Sequence, residues 1–367
     1  MTVSAMSWSD GPVRVRVPAT SANLGPGYDT LGLALGLHDE VEARVTSSGL
    51  SLSVSGEGAV DVADAGEKHL IVRAMRAAFD ELGGGQPPGI ELRCVNRIPH
   101  GRGLGSSAAA ISAGILAARA LAGAPAGPDD ALPLANALEG HPDNVAACLY
   151  GGLTIAWLPG AGGEVPGEPA SEVSGGPAGD EASGAAPGGE VSGGSAPGPV
   201  ARAVRLTPLP GVRPVVLVAP APVSTEVARG LLPDKVTHAD AARNAGRAAL
   251  LVAALTARPE ALLDATEDLL HQDYRAPAMP ATHDLVRRLR AIGVPAVVSG
   301  AGPSVLAFLV SPTGTALSDA PGEDRVAGDD LVKLGSTVRE AGIDWRISPL
   351  DIERQGANVG PGVLSVR

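Results

Sequence analysis

The segment Ile98-Pro-His-Gly-Arg-Gly-Leu-Gly-Ser-Ser-Ala-Ala-Ala110 links an alternating run, GIELRCV from Gly89 to Val95, to an alanine-rich run that continues to about Leu121. The period-two alternation predicts a strand, and the alanine-rich run predicts a helix that begins at the two serines. Glycines at 101, 103 and 105 permit backbone conformations closed to other residues, so the chain can approach a ligand closely there. The helix start that follows offers free N–H groups and the positive end of the helix dipole, a combination that suits an anion and most naturally a phosphate. Taken alone, the segment also reads as an ordinary glycine turn capped by Ser106. It lacks the GxxxxGK[ST] pattern of a P-loop, and its glycine spacing does not match the GxGxxG of a dinucleotide fold. The chain has three lysines, so arginine must do most of any anion binding.

Outward from this segment, Val13 to Pro18 and Glu40 to Thr46 alternate apolar and polar residues, and LSLSVSG follows, which predicts a partly antiparallel sheet. Helical spacing covers His69 to Leu82 and stops at three glycines, and a second helix is expected over Ala131 to Leu138. GGLTIAW reads as a strand. Beyond residue 200 the pattern restarts with the strand VRPVVLVAP, then helices over Ser224 to Leu232, Asp240 to Leu255, Ala261 to Leu270 and Thr282 to Ile292. Ala296 to Val310 reads as strand, tight turn, strand, and Leu331 to Ala341 as the last helix. Strands and helices mixed without strict βαβ alternation indicate an α+β fold. There is no internal repeat.

The 367 residues carry 28 basic and 40 acidic side chains, a net charge of -12, which argues against a nucleic-acid groove. Apolar residues make up 44% and aromatics 2%, so the core must be built from Ala, Val, Leu and Ile. The 49 glycines and 32 prolines are unevenly spread. Residues 160–200 hold thirteen Gly, six Pro and six acidic residues without a single basic or aromatic one, so they cannot bury enough apolar area to offset their ordering entropy. This stretch reads as a flexible surface insertion that carries half of the net charge. Cys94 and Cys148 fit no metal or CxxC spacing, which suits a reducing cytoplasm. The N-terminus has no secretory pattern, and Leu104 to Gly123, interrupted by Arg119, does not suit a bilayer span.

Two further glycine-containing segments matter by their order. Val17-Pro-Ala-Thr-Ser-Ala-Asn-Leu-Gly-Pro-Gly-Tyr-Asp29 can hold Asn23 and Asp29 towards a cleft, or can be a turn whose Asn and Asp satisfy local backbone. Ser299-Gly-Ala-Gly-Pro-Ser304 reads equally as a plain hairpin. PATSANLGPGYDT, IPHGRGLGSSAAA and SGAGPSVLAF, in that order, resemble the three motifs of the GHMP small-molecule kinases. Within that superfamily, LEGHPDNVAA (Leu138 to Ala147) and STEVARGLLP (Ser224 to Pro233) are most similar to the homoserine kinase branch.

The resemblance implies a GHMP kinase fold: an N-terminal ribosomal-protein-S5-domain-2-like domain over 1–159, the insertion at 160–200, and a C-terminal ferredoxin-like α/β sandwich over 201–367. It implies ATP-dependent phosphorylation of the side-chain hydroxyl of L-homoserine to O-phospho-L-homoserine, a step of threonine biosynthesis, with ATP and Mg2+ as cofactors. The alternatives are another GHMP kinase of mevalonate or sugar type, or a non-catalytic regulator that kept the fold. ATP binding falls by resemblance to Ile98, Pro99, His100, Gly101, Arg102, Gly103, Leu104, Gly105, Ser106, Ser107 and Ala108, and the metal to Ser107 and Glu139. Asn23, Asp29, His141, Asn144, Arg229 and Arg275 are implied to bind the substrate, with the two arginines as a carboxylate clamp, since a guanidinium fork suits a carboxylate. Asp29 and Glu139 are implied as catalytic, and Asp143 is a candidate for the proton of the attacking hydroxyl. Tyr28 stands where the family commonly has Phe, and His69 where an adenine-contacting Asn is often found. No nucleic acid or membrane partner is expected, and a homodimer stays open.

Overall fold

The computed structural model describes residues 8–62, 64–159, 200–310, 328–362 and 364. Two sheets organise these residues. The first is seven-stranded: β1 (Val13–Ala22), β2 (Leu31–Thr46), β3 (Gly49–Gly56), β4 (Gly89–Asn96), β5 (Leu153–Trp157), β6 (Arg202–Leu206) and β11 (Asn358–Pro361). Its strands run in the order β11-β1-β2-β4-β3, with β5 pairing β2 and β6 pairing β5. Every pair is antiparallel except β3 with β4. The second sheet is four-stranded, with β7 (Val212–Val218), β8 (Ala296–Val298), β9 (Val305–Val310) and β10 (Arg346–Pro349) in the antiparallel order β10-β7-β9-β8.

The helix Ser106–Leu121 forms as expected and is buried nearly all round, which explains its unpatterned Ala/Ile/Leu composition. Gly114 lets it approach the helix Leu70–Leu82 closely: a Cβ there would meet the Ile71 carbonyl and the Ala74 side chain. Small residues thus replace aromatic bulk in the core, although Phe79 is fully buried and meets Trp8 edge to face at 5.2 Å. Arg119 is accommodated by donating to the Pro125 carbonyl at 2.6 Å and to Glu81 at 3.0 Å. No helix among the described residues is long and apolar enough to cross a membrane. Both cysteines are buried and free, and burial pushes each thiol up to about 12.

The structure departs from the expected elements in three places. The helix expected over Ala261 to Leu270 is only Leu262–Ala265, after which Asp268 accepts the backbone N–H groups of Leu270, His271 and Gln272 and turns the chain. A helix over Pro142–Tyr150 is additional, as are β6, β10 and β11. The sheets also do not divide by chain order: β6 and β11 both follow residue 200 yet complete the first sheet. Of the expected insertion only Val200 is described, so that reading lies outside the described residues.

β5 and β6 pair with Trp157 opposite Arg202, so the described residues on either side of 160–199 lie beside one another. Replacing residues 160–199 with a four-residue Gly/Ser turn is therefore expected to keep the fold and to stabilise it by up to about 2 kcal/mol through the shorter closure. Chemical denaturation of the shortened chain checks this; a loss of cooperative unfolding would show that the segment is required.

Candidate active site

The three glycine segments meet at Ser299. Its buried hydroxyl donates to the Gly103 carbonyl at 2.7 Å and is hydrogen-bonded to Ser21 Oγ at 2.8 Å. Gly300 N–H donates to the Ala22 carbonyl at 3.1 Å, and Asn23 Nδ2 donates to the Gly300 carbonyl at 2.8 Å. Thr20 adds two ties: its N–H donates to the Leu104 carbonyl, and its hydroxyl donates to Asn144 Oδ1 at 2.8 Å. Close approach of this kind requires glycine. A Cβ at Gly103 would run into the Ser299 and Gly302 carbonyls, and one at Gly105 into the Thr20 hydroxyl.

The loop is also anchored at its start and on its flank. Asp39 Oδ1 accepts the N–H groups of Arg97 and Ile98 at 2.6 and 2.9 Å, which fixes the exit from β4. Arg102 turns away from the cleft and donates to the Ala219 and Pro220 carbonyls, both at 2.8 Å, tying the loop to the end of β7. Gly105, at φ 67°, then starts the helix Ser106–Leu121 without a side-chain cap, so the free N–H groups of its first turn face the cleft that Ser106 and Ser107 line.

That cleft has a volume of about 370 Å³. Asn23, Gly101, Gly103, Leu104, Gly105, Ser106, Ser107, Glu139, His141, Asp143, Asn144, Arg229 and Arg275 all line it, together with Thr225 and the 300–302 turn. Ser107 Oγ donates to Glu139 Oε1 at 2.7 Å. Burial raises the Glu139 carboxyl above the usual carboxylate range, and the Ser107 hydroxyl pulls it partly back. The short helix Pro142–Tyr150 starts at His141, whose Nδ1 lies 3.1 Å from Asp143 Oδ1. That contact raises the imidazole above its ordinary value. Asp143 is itself buried, and its Oδ1 also accepts the Asn144 N–H at 2.7 Å.

Arg229 and Arg275 reach the cleft from the second half of the chain. Arg229 forms a fork with the Asp29 carboxylate, at 2.7 and 3.1 Å, and also donates to the Tyr28 hydroxyl at 2.9 Å. Arg275 is 1% exposed; it lies 3.1 Å from His271 Nδ1, donates weakly to the Gly300 carbonyl, and has a buried Nε without a partner. His271 Nε2 lies 2.9 Å from the Gly25 carbonyl, and burial keeps its imidazole below the ordinary value.

The residues at 69–152 match the family model of the GHMP kinases N-terminal domain. The chain is 52% identical over 352 residues to a homoserine kinase of Streptomyces coelicolor, covering 95% of this chain and 94% of that one. It is 45% identical to a homoserine kinase of Clavibacter michiganensis, covering 95% and 93%. The chain belongs to the homoserine kinase family. Its fold agrees with that assignment: a crystal structure of homoserine kinase from Cytophaga hutchinsonii superposes with a TM-score of 0.69 at 24% identity, covering 95% of this chain and 98% of that one. A mevalonate kinase structure, at 12% identity and a TM-score of 0.56 over 93% and 99% of the two chains, shares the GHMP kinase fold.

Not every residue expected from the family motif faces the cleft. Ile98 and Ala108 are core residues, fully buried. Pro99 and Arg102 border a neighbouring groove with Glu57 and Arg346. His100 borders that groove and also a third, smaller cavity of about 230 Å³, which adjoins the cleft at Ser106 and Ser107 and is lined by Asp39, His69 and Asn96. Asp29 is not among the cleft-lining residues; its carboxylate is held by Arg229, and its N–H donates to Asn23 Oδ1 at 2.9 Å. Thr20, Ser299, Asp39 and His271 were not singled out from sequence. Thr20 and Ser299 sit inside the quoted motifs, where their hydroxyls could have signalled a role, whereas Asp39 and His271 carry no such local sign.

Gly105→Ala is expected to cost on the order of 1–3 kcal/mol, since left-handed strain and a collision with Thr20 add. Gly123→Ala has a similar φ of 66° with open space around it, so its cost should be the strain alone, about 1 kcal/mol. Urea unfolding of both variants measures the difference; equal losses would mean that the Thr20 contact yields without cost.

Proposed function

We propose that this protein transfers the γ-phosphoryl group of ATP to the side-chain hydroxyl of L-homoserine, forming O-phospho-L-homoserine as a step of threonine biosynthesis. The observation that carries the reading is that one cleft holds a helix start suited to phosphates beside two arginines suited to a small carboxylate. The family relatives named homoserine kinase support it. In this reading residues up to 159 form the ATP-binding half and residues from 201 the second half, with β6 and β11 completing the sheet of the first.

Glycines 101, 103 and 105 let the backbone wrap the triphosphate, and the N–H groups at Ser106 and Ser107 face its oxygens. The cavity beside Ser106, with its apolar wall of Val17, Val41, Leu70 and Ala113, is suited to the adenine base. Ser107 and Glu139 are hard oxygen donors already side by side, and the half-buried carboxylate has a neutral hydroxyl as its hydrogen-bond partner, so the pair fits Mg2+. Among the described residues no cluster of three or more His, Cys, Asp or Glu is poised for a metal, so the remaining ligands of the ion would come from phosphate and water. When bound, the ion supplies charge neutralisation on the phosphates.

Arg275 and Arg229 hold the substrate carboxylate, while Asp29, Asn23 and Asn144 face its ammonium and hydroxyl. Phosphoryl transfer demands mainly that the hydroxyl be held in line with the phosphate and kept from water, and these side chains do that. Asp143 is assigned the orientation of His141 and Asn144, because its Oδ1 already takes contacts from both. The hydroxyl proton then leaves late, to a phosphate oxygen.

Glu139→Gln is expected to lower kcat at least about 100-fold with an unchanged melting temperature, and chelation by EDTA should stop turnover. Arg275→Lys keeps the charge and loses the fork, so the KM for homoserine should rise roughly 10- to 100-fold while the KM for ATP holds. A coupled assay against homoserine, serine, mevalonate, shikimate and galactose tests the reading itself. Turnover of mevalonate or galactose in place of homoserine would overturn it.

A further inference from the structure

The fork between Arg229 and Asp29 is unusual for a binding site, because it joins the two side chains whose charges complement the two ends of an α-amino acid. Three hydrogen bonds hold the arginine there: two to Asp29, at 2.7 and 3.1 Å, and one to the Tyr28 hydroxyl, at 2.9 Å. The Tyr28 ring serves both arginines, with the guanidinium carbon of Arg229 at 5.7 Å from its centre and that of Arg275 at 5.6 Å. His271, which lies against Arg275, sits 5.3 Å from the same ring. Asp29 is itself held in a left-handed backbone conformation, φ 51°, with its N–H fixed by Asn23. The backbone of Asp29 is therefore fixed, whereas Arg229, on the six-residue helix Thr225–Gly230, reaches it through a long side chain with more rotatable bonds.

We propose that Tyr28 is a positioning residue that holds Arg229 in the Asp29 fork, so that the site accepts a substrate only by exchanging both ends of an internal ion pair. This rests on the homoserine reading and deepens it. An entering zwitterion gives its carboxylate to Arg229 and its ammonium to Asp29, so neither side chain is left unpaired. A ligand with one of the two charges must break the fork and strand one partner at a half-buried site, which is costly. The exchange makes the pair a filter for α-amino acids over simple hydroxy acids and amino alcohols, and the hydroxyl that Tyr28 adds to the ring raises the cost of opening the fork for every ligand that takes Arg229.

Calorimetric titration, with a non-hydrolysable ATP analogue and magnesium present, tests the exchange using homoserine, 4-hydroxybutyrate and 3-amino-1-propanol. The latter two are homoserine without its amine and without its carboxylate. Wild-type protein should bind each at least about 100-fold more weakly than homoserine. Tyr28→Phe leaves every charge and the ring in place and removes one bond to the held arginine. It should tighten 4-hydroxybutyrate about ten-fold and lower the KM for homoserine, with the KM for ATP unmoved. Asp29→Asn should tighten 4-hydroxybutyrate and weaken homoserine, and Arg229→Gln should tighten 3-amino-1-propanol. If Tyr28→Phe and Asp29→Asn both leave the 4-hydroxybutyrate affinity where it was, the fork does not open and the exchange is wrong. Wild-type protein that binds no homoserine would instead remove the substrate reading, and the exchange with it.

Discussion

The hydroxyl of Ser299 donates to the Gly103 carbonyl and meets Ser21, and through those two contacts three chain segments separated by about 80 and 200 residues are locked into one wall. Ser21 and Ser299 are fully buried and Gly103 is half-buried, so the serine hydroxyls are bonded where an unpaired polar atom would be expensive. The consequence is geometric. The glycine loop cannot shift without breaking its tie to the 299–304 turn, and the turn cannot shift without releasing Asn23, which in turn fixes the N–H of Asp29. The backbone of the glycine loop and the side chains of Asn23 and Asp29 are thereby held at a fixed separation, which is what transfer between two substrates would require in the proposed reading.

Electrostatics divides along the same wall. The chain is acidic as a whole, yet the cleft gathers Arg229, Arg275 and a helix start together with Glu139 and Asp143, and Arg229 is paired with Asp29 just outside the lining. Arg102, which the resemblance placed among the ATP-binding residues, has its guanidinium on the Ala219 and Pro220 carbonyls at the end of β7, so beside the loop the helix start supplies positive potential from backbone dipoles. Glu139 is the complementary case: burial holds its carboxyl above the usual range, a state that a cation relieves.

Much of this was legible in the residues. The strand, glycine loop and helix over residues 89–121 follow from periodicity and glycine placement, and the helix expected from the two serines to about Leu121 is Ser106–Leu121. Other elements were not legible for definite reasons. The helix Pro142–Tyr150 is short and buried, so its Ala/Val/Cys/Leu composition shows no amphipathic stripe. β11 is four residues of Asn, Val, Gly and Pro, and only its register against Val13 to Arg16 makes it a strand. Leu269 and its neighbours read as helix by composition, but Asp268 captures the backbone N–H groups that a helix would need.

The sequence by itself determined the α+β class and the anion-suited loop, because each depends on local periodicity or backbone freedom, while the polar groups that now line one cleft were implied by its resemblance to the GHMP kinases. Only the tertiary structure decided which of those groups pair with one another. Arg229 and Asp29 lie 200 residues apart, and both read as substrate contacts; folding makes them partners of each other first, with Tyr28 beside them. Arg275 and His271 face a ring contributed from near the N-terminus. Pairings of that range are set by how the two sheets pack, and no local pattern in the chain encodes the distance between their loops.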